Sequence, residues 1–103
     1  MEKVTSENFK TFIENKPCIV MCTAAWCGPC KQIKPIFTDL VEKCNARAGI
    51  VDVDEESEVA IELQISAMPT FILFTEMGGI FKSIGANPQE LKQLMLRQWK
   101  MDP

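Results

Sequence analysis

At 103 residues the chain suits a single domain over positions 1 to 103, large enough to bury roughly 60 to 70% of its unfolded surface and fold without crosslinks. Its 47% hydrophobic and 24% charged content are ordinary for a globular protein, and no apolar run nears the roughly 18 residues a membrane span needs. The net charge of −3, with both signs interspersed, leaves no electrostatic footprint for nucleic acid or an anionic membrane, so neither is an expected partner and a monomer is the simplest state.

Histidine is absent, which removes Cys-His nucleophilic catalysis and every zinc site that needs imidazole. Cysteine and carboxylate chemistry remain. Five cysteines form an odd set, which argues for free thiols plus one functional pair rather than a framework of bridges. The N-terminal MEKVTSENFK is acidic and polar where a signal peptide would be apolar, so a cytoplasmic address is expected.

Met1 to Val4 read as a short first strand, after which Thr5 or Ser6 caps a helix carrying Phe9, Phe12 and Ile13 on one face. Pro17 marks the exit. Cys18 to Thr23, CIVMCT, is a continuous apolar run of strand length, as in a strand buried on both faces. From Cys27 or Gly28 to Cys44 the apolar residues Ile33, Ile36, Phe37, Leu40 and Val41 follow helical spacing, with a kink expected at Pro35. Gly49 to Val53 form the next strand, the acidic DVDEESE a solvated turn, and Val59 to Leu63 a short helix. Phe71 to Thr75 and Ile80 to Ile84 are strands of a hairpin turning at EMGG, and Pro88 to Trp99 is an amphipathic helix. The order βαβαβαββα implies an α/β fold, a mixed central sheet with helices on both faces.

The chemistry concentrates in AAWCGPCKQIKP. A three-residue spacing at a helix start puts Cys27 and Cys30 on one face, Cβ atoms roughly 5 to 6 Å apart, close to disulfide range. The loop between them is too short to stabilise the fold much, so such a bond suits exchange better than stapling. The orphan N–H groups and dipole of the helix N-terminus favour a thiolate on Cys27, the residue at the exposed end, while Cys30 is more shielded. Cys27 is then the nucleophile toward a partner disulfide and Cys30 the resolver. No bound metal is expected, although Cys22, Cys27 and Cys30 also fit the C-x4-C-x2-C opening of plant-type iron–sulfur ligation. Against that reading, Cys22 falls inside an apolar strand. Cys18, Cys22 and Cys44 are expected as small, inert core residues.

WCGPCK, with VDVDEESEVA, SAMPTF and IGANPQEL further on, resembles the thioredoxin family over nearly the whole chain, and IGAN is most like its eukaryotic cytosolic forms. The resemblance implies the thioredoxin fold and a protein dithiol–disulfide oxidoreductase. It implies no bound cofactor, electrons from NADPH through a flavin-dependent thioredoxin reductase, and disulfide-bearing protein substrates such as peroxiredoxins. It also implies a cis peptide at Met68-Pro69 and a substrate rim of Trp26, Gly28, Pro29, Met68, Pro69, Gly85 and Ala86 around Cys27. A different class stays open: a redox-switched binding module that holds a partner at this rim without turnover.

One pattern departs. The family usually carries a buried Asp six residues before the nucleophile, and its bacterial members a partnering Lys on the neighbouring strand; here these positions are Met21 and Ile50. Replacing both members of a buried charged pair by packed apolar side chains is physically coherent. It leaves Cys30 to exchange its proton with water or with Cys27.

Overall fold

The computed structural model describes residues 1–101; positions 102 and 103 of the expected domain lie outside the described residues. The elements run β1 (Glu2–Lys3), α1 (Phe9–Glu14), β2 (Cys18–Thr23), α2 (Gly28–Cys44), β3 (Ala48–Asp52), α3 (Ser57–Glu62), β4 (Thr70–Phe74), β5 (Ile80–Ile84) and α4 (Pro88–Met95). This is the expected βαβαβαββα order. The strands form one mixed sheet, β1-β3-β2-β4-β5, in which β1, β3 and β2 are parallel and β4 and β5 antiparallel.

Alternation along the central strands sorts their side chains between two cores. Ile19 and Met21 of β2, with Phe71 and Leu73 of β4, pack under α2 and α4. Cys18, Val20 and Cys22, with Ile72 and Phe74, pack instead against Phe9 and Phe12 of α1 and Val59 of α3. Because β2 and β4 bury both faces, their sequences read as unbroken apolar runs. Gly49 of β3 is required by close approach: a Cβ there would meet Val4 Cγ2 at 2.5 Å and Phe12 Cζ at 2.8 Å.

Several element boundaries differ from those the pattern predicts. The Thr5 cap is present, since Thr5 Oγ1 accepts from the Asn8 N–H (3.4 Å) and Asn8 Oδ1 accepts from the Thr5 N–H (2.8 Å), a reciprocal capping pair. It closes a turn, however, and the regular helix begins only at Phe9. At the other end α4 stops at Met95 rather than Trp99, because Arg97 and Gln98 donate to carbonyls three residues back, tightening the chain out of α geometry. β3 and β4 each sit one residue earlier than expected, and α3 spans Ser57–Glu62 rather than Val59 to Leu63. Pro35 lies inside α2. The hairpin at EMGG turns through Gly78, whose φ of 91° is open to glycine at no steric cost.

Candidate functional site

Register assembles the site. Cys22 of β2 pairs with Thr70 of β4, and Thr70 with Ile84 of β5, so the chain leaves β2, enters β4 and leaves β5 along one row at one edge of the sheet. The three connecting segments there carry Trp26 and Cys27, Met68 and Pro69, and Gly85 and Ala86.

In the first segment the Cys27 N–H donates to the Ala24 carbonyl (3.1 Å), a turn that throws Trp26 to the surface, where it is 67% exposed. Trp26 is therefore no core residue. Cys27 takes an extended conformation (φ −86°, ψ 103°) as the N-cap of α2, with Gly28 and Pro29 as the first helical positions. A proline there costs nothing, since its missing N–H would have no partner in the helix. The Cys30 N–H donates to Cys27 Sγ at 3.2 Å, so the first sulfur takes the place a Ser or Asp oxygen holds in an ordinary cap. Cys27 and Cys30 are joined as a disulfide, their Cα atoms 5.3 Å apart.

One expectation needs correction. Cys27 is not at an exposed end: it is 3% exposed and Cys30 2%. What separates the two is position, Cys27 capping the helix and Cys30 one turn inside it. Both join the core beneath α2, with Met21 fully buried in the same cluster and Ile50 and Met68 packed against it. Met21 and Ile50 are themselves neighbours across the β2–β3 ladder, so the two apolar residues at the family's charged positions do form one contact region.

The second segment holds a cis Met68–Pro69 peptide, as the resemblance implies. Thr70 Oγ1 donates to the Ala67 carbonyl (2.6 Å) and closes the loop, while the backbone of Met68 takes part in no hydrogen bond among the described residues. The third segment is pinned to the second: the Gly85 N–H donates to the Pro69 carbonyl (2.8 Å), and Gly85 has φ 103°, a conformation that favours glycine. Gly28, Pro29 and Ala86 are exposed, Met68 and Gly85 half-buried, Pro69 buried.

The acidic run contributes more than a solvated turn. Asp54 Oδ2 accepts from Trp26 Nε1 at 2.8 Å, and Asp52 Oδ1 shapes the loop by accepting from the N–H groups of Asp54 (2.9 Å) and Glu55 (3.1 Å). Asp54 is the residue of the candidate site that reading by motif missed. The signal was in the register: Thr23 pairs with Asp52, so the residues just beyond each emerge together.

The remaining thiols lie apart. Cys18 and Cys22 are buried on the opposite face of the sheet from the pair, which separates Cys22 from Cys27 and Cys30 as a shared ligand set. Burial raises the Cys18 thiol, against the pull of Arg47 and Lys16, and pushes Cys22 up to about 12. Cys44 is only half-buried, contrary to expectation, and its thiol is also raised by burial.

The thioredoxin family model matches residues 1–97. The thioredoxin Asp f 29 of Aspergillus fumigatus is 45% identical over 98 residues, covering 89% of each chain. Mitochondrial thioredoxin 3 from Saccharomyces cerevisiae, in its oxidised form, superposes with a TM-score of 0.85 at 35% identity, covering 94% of each chain. A chain solved in work on the thiol resolving mechanism of a yeast mitochondrial 1-Cys peroxiredoxin via glutathione/thioredoxin systems superposes with a TM-score of 0.87 at 34% identity, again over 94% of each.

Proposed function

This chain belongs to the thioredoxin family and is a dithiol–disulfide oxidoreductase, and from that premise we propose that Cys27 is its attacking thiolate and Cys30 its resolving thiol. The carrying observation is the Cys27–Cys30 disulfide at the α2 N-terminus, with Cys27 as the cap. In the reduced protein Cys27 faces the orphan N–H groups of the first turn, which stabilise negative charge on its sulfur. That thiolate attacks a partner disulfide and expels one partner sulfur. Cys30, three residues on, attacks the Cys27 sulfur of the mixed disulfide and frees the other. Two electrons pass from the dithiol to the partner, which leaves with two thiols.

Trp26, Gly28, Pro29, Met68, Pro69, Gly85 and Ala86 form the rim that receives the partner. The unpaired Met68 backbone offers an extended partner segment the hydrogen bonds of an added strand. Gly28 presents no side chain, and a Cβ built there would meet nothing within 4 Å, so the space above it is open for a partner's backbone. Recharging runs from NADPH through a flavin-dependent thioredoxin reductase, and substrates include peroxiredoxin-type disulfides; the link between a structural neighbour and a peroxiredoxin system supports this choice. The cytoplasm is the proposed compartment, since three of the five cysteines stay free. Fractionation of tagged cells tests that, mitochondrial recovery being the contrary result.

Insulin reduction driven by dithiothreitol tests the chemistry. Cys27→Ser is expected to abolish it, and Cys30→Ser to accumulate mixed disulfides with partner proteins. Turnover surviving in Cys27→Ser would overturn the assignment of roles, and partner retention by Cys27→Ser without any wild-type turnover would favour a binding module.

A further inference from the structure

The exposed face of α2 continues away from Cys27 as a shallow groove of about 540 Å³, lined by Lys31, Lys34, Pro35, Thr38, Asp39 and Glu42. Positions 27, 31, 34 and 38 follow one another at helical spacing, so the groove begins about one turn along α2 from its cap residue Cys27. Its charge is ordered. Lys31 and Lys34 come first, and neither has a carboxylate partner within salt-bridge distance among the described residues. Asp39 and Glu42 come last, with Asp39 held by Lys43 at 3.0 Å. On the other side of Trp26 stands Asp54, bonded to the indole, while the next residue, Glu55, is paired with Lys3 at 3.2 Å. A protein of net charge −3 thus places two cations without a carboxylate partner on the first two turns of the helix that Cys27 caps.

We propose that this groove is a specificity surface for partner proteins whose reactive cysteine is flanked on one side by an acidic segment. The inference rests on the oxidoreductase reading above and names the substrate class of that site. Lys31 lies about 6 Å and Lys34 about 10 Å along the helix axis from Cys27. An extended partner segment advances about 3.3 Å per residue with alternate side chains on one face, so carboxylates two and four residues from the partner cysteine face the helix within reach of the two long lysine side chains. The neighbouring Asp54 repels the same carboxylates on the opposite side, which makes the preference directional. The covalent step is unchanged: the groove alters how often a partner sulfur arrives at Cys27, and in which orientation.

The test uses three synthetic peptides, each with one cysteine held as a mixed disulfide with neutral 2-thiopyridine. One carries Glu at the second and fourth positions before the cysteine, one carries Glu at the second and fourth positions after it, and one carries Gln at all four positions. The reduced full-length protein attacks the peptide sulfur, thiopyridone leaves and is read by absorbance, and Cys30 then displaces the peptide thiol. One of the two acidic peptides is expected to react about fivefold faster than the Gln peptide at about 20 mM salt, a gain two exposed ion pairs can supply. The gain falls below about twofold at about 0.5 M salt, where screening shortens the reach of charge to a few ångströms. Lys31→Gln with Lys34→Gln removes it, whereas Lys10→Gln with Lys92→Gln, which takes the same charge from α1 and α4, keeps it. Ratios between peptides cancel any change in Cys27 reactivity. Equal rates for all three peptides, or a gain that survives in the Lys31/Lys34 variant, overturns the groove. Failure to release thiopyridone from any peptide overturns the oxidoreductase reading instead.

Discussion

Cys22 has no exposed surface, lying in the middle of the sheet against α1 and α3, and burial pushes its thiol from an ordinary 9.0 to about 12, with Lys82 pulling weakly the other way. An unfolded chain releases that proton first. Between about pH 9 and 12 the folded state therefore holds a proton the unfolded state has lost, and stability falls as pH rises. The contribution is whole below pH 9 and gone above the folded value. A separation of three pH units corresponds to about 4 kcal/mol in all, so about 2 kcal/mol is lost by about pH 10.5. For a domain this size that is a melting-temperature drop of about 10 °C. Urea unfolding at pH 8 and pH 10.5, with reductant present throughout, measures it in the wild type and in Cys22→Val. Taking the difference between the two proteins cancels every other titrating group, the raised Cys18 thiol included. An equal loss of stability in both proteins would refute the claim that this buried thiol is the source.

Gly49→Ala is expected to cost about 1 to 3 kcal/mol through overpacking against Val4 and Phe12, and a melting temperature within 2 °C of wild type (roughly 0.5 kcal/mol or less) contradicts the contact geometry. Asp54→Ala should release the Trp26 indole and slow disulfide reduction by about two- to fivefold, in line with the loss of one exposed charge-assisted hydrogen bond, while leaving unfolding nearly unchanged. An unaltered rate would show that Trp26 holds its place without that bond. Met21→Asp introduces a carboxylate into the cluster that contains Cys30, and should speed resolution of the mixed disulfide across about pH 6 to 9 while lowering stability by about 3 kcal/mol or more. Resolution no faster in a folded Met21→Asp protein means that proton transfer at Cys30 does not limit the wild type.

The elements most legible in the sequence were those that carry a single dominant signal. CIVMCT, a continuous apolar run of strand length, fits a strand buried on both faces, and it spans β2 to the residue. The cysteine pair at the head of a long apolar-periodic segment located the start of α2 just as closely. Less legible were features decided by geometry between distant segments. Asp54 reads as one acid among many in DVDEES until the pairing of Thr23 with Asp52 brings it beside Trp26. The end of α4 was hidden because Trp99 keeps the apolar period after the backbone has left α geometry, its ring packing on the core regardless. Cys44 resembled a core residue by composition, yet it ends α2 where the helix meets its left-handed cap at Asn45 and leaves the core half covered.

The parity of β2 acts as insulation. Thiolates exchange with any disulfide they can reach, and a protein that carries a working disulfide beside spare thiols risks trading partners within its own chain. Here the even-numbered Cys18 and Cys22 face one side of the sheet, and the odd-numbered Ile19 and Met21 face the side that holds the working pair. A sulfur on the wrong face would have to pass through hydrogen-bonded backbone to reach Cys27. Inserting one residue into β2 ahead of Cys22 would reverse that parity and turn this thiol toward the redox couple. A buried core position would then become a short circuit between the stored disulfide and the interior of the protein.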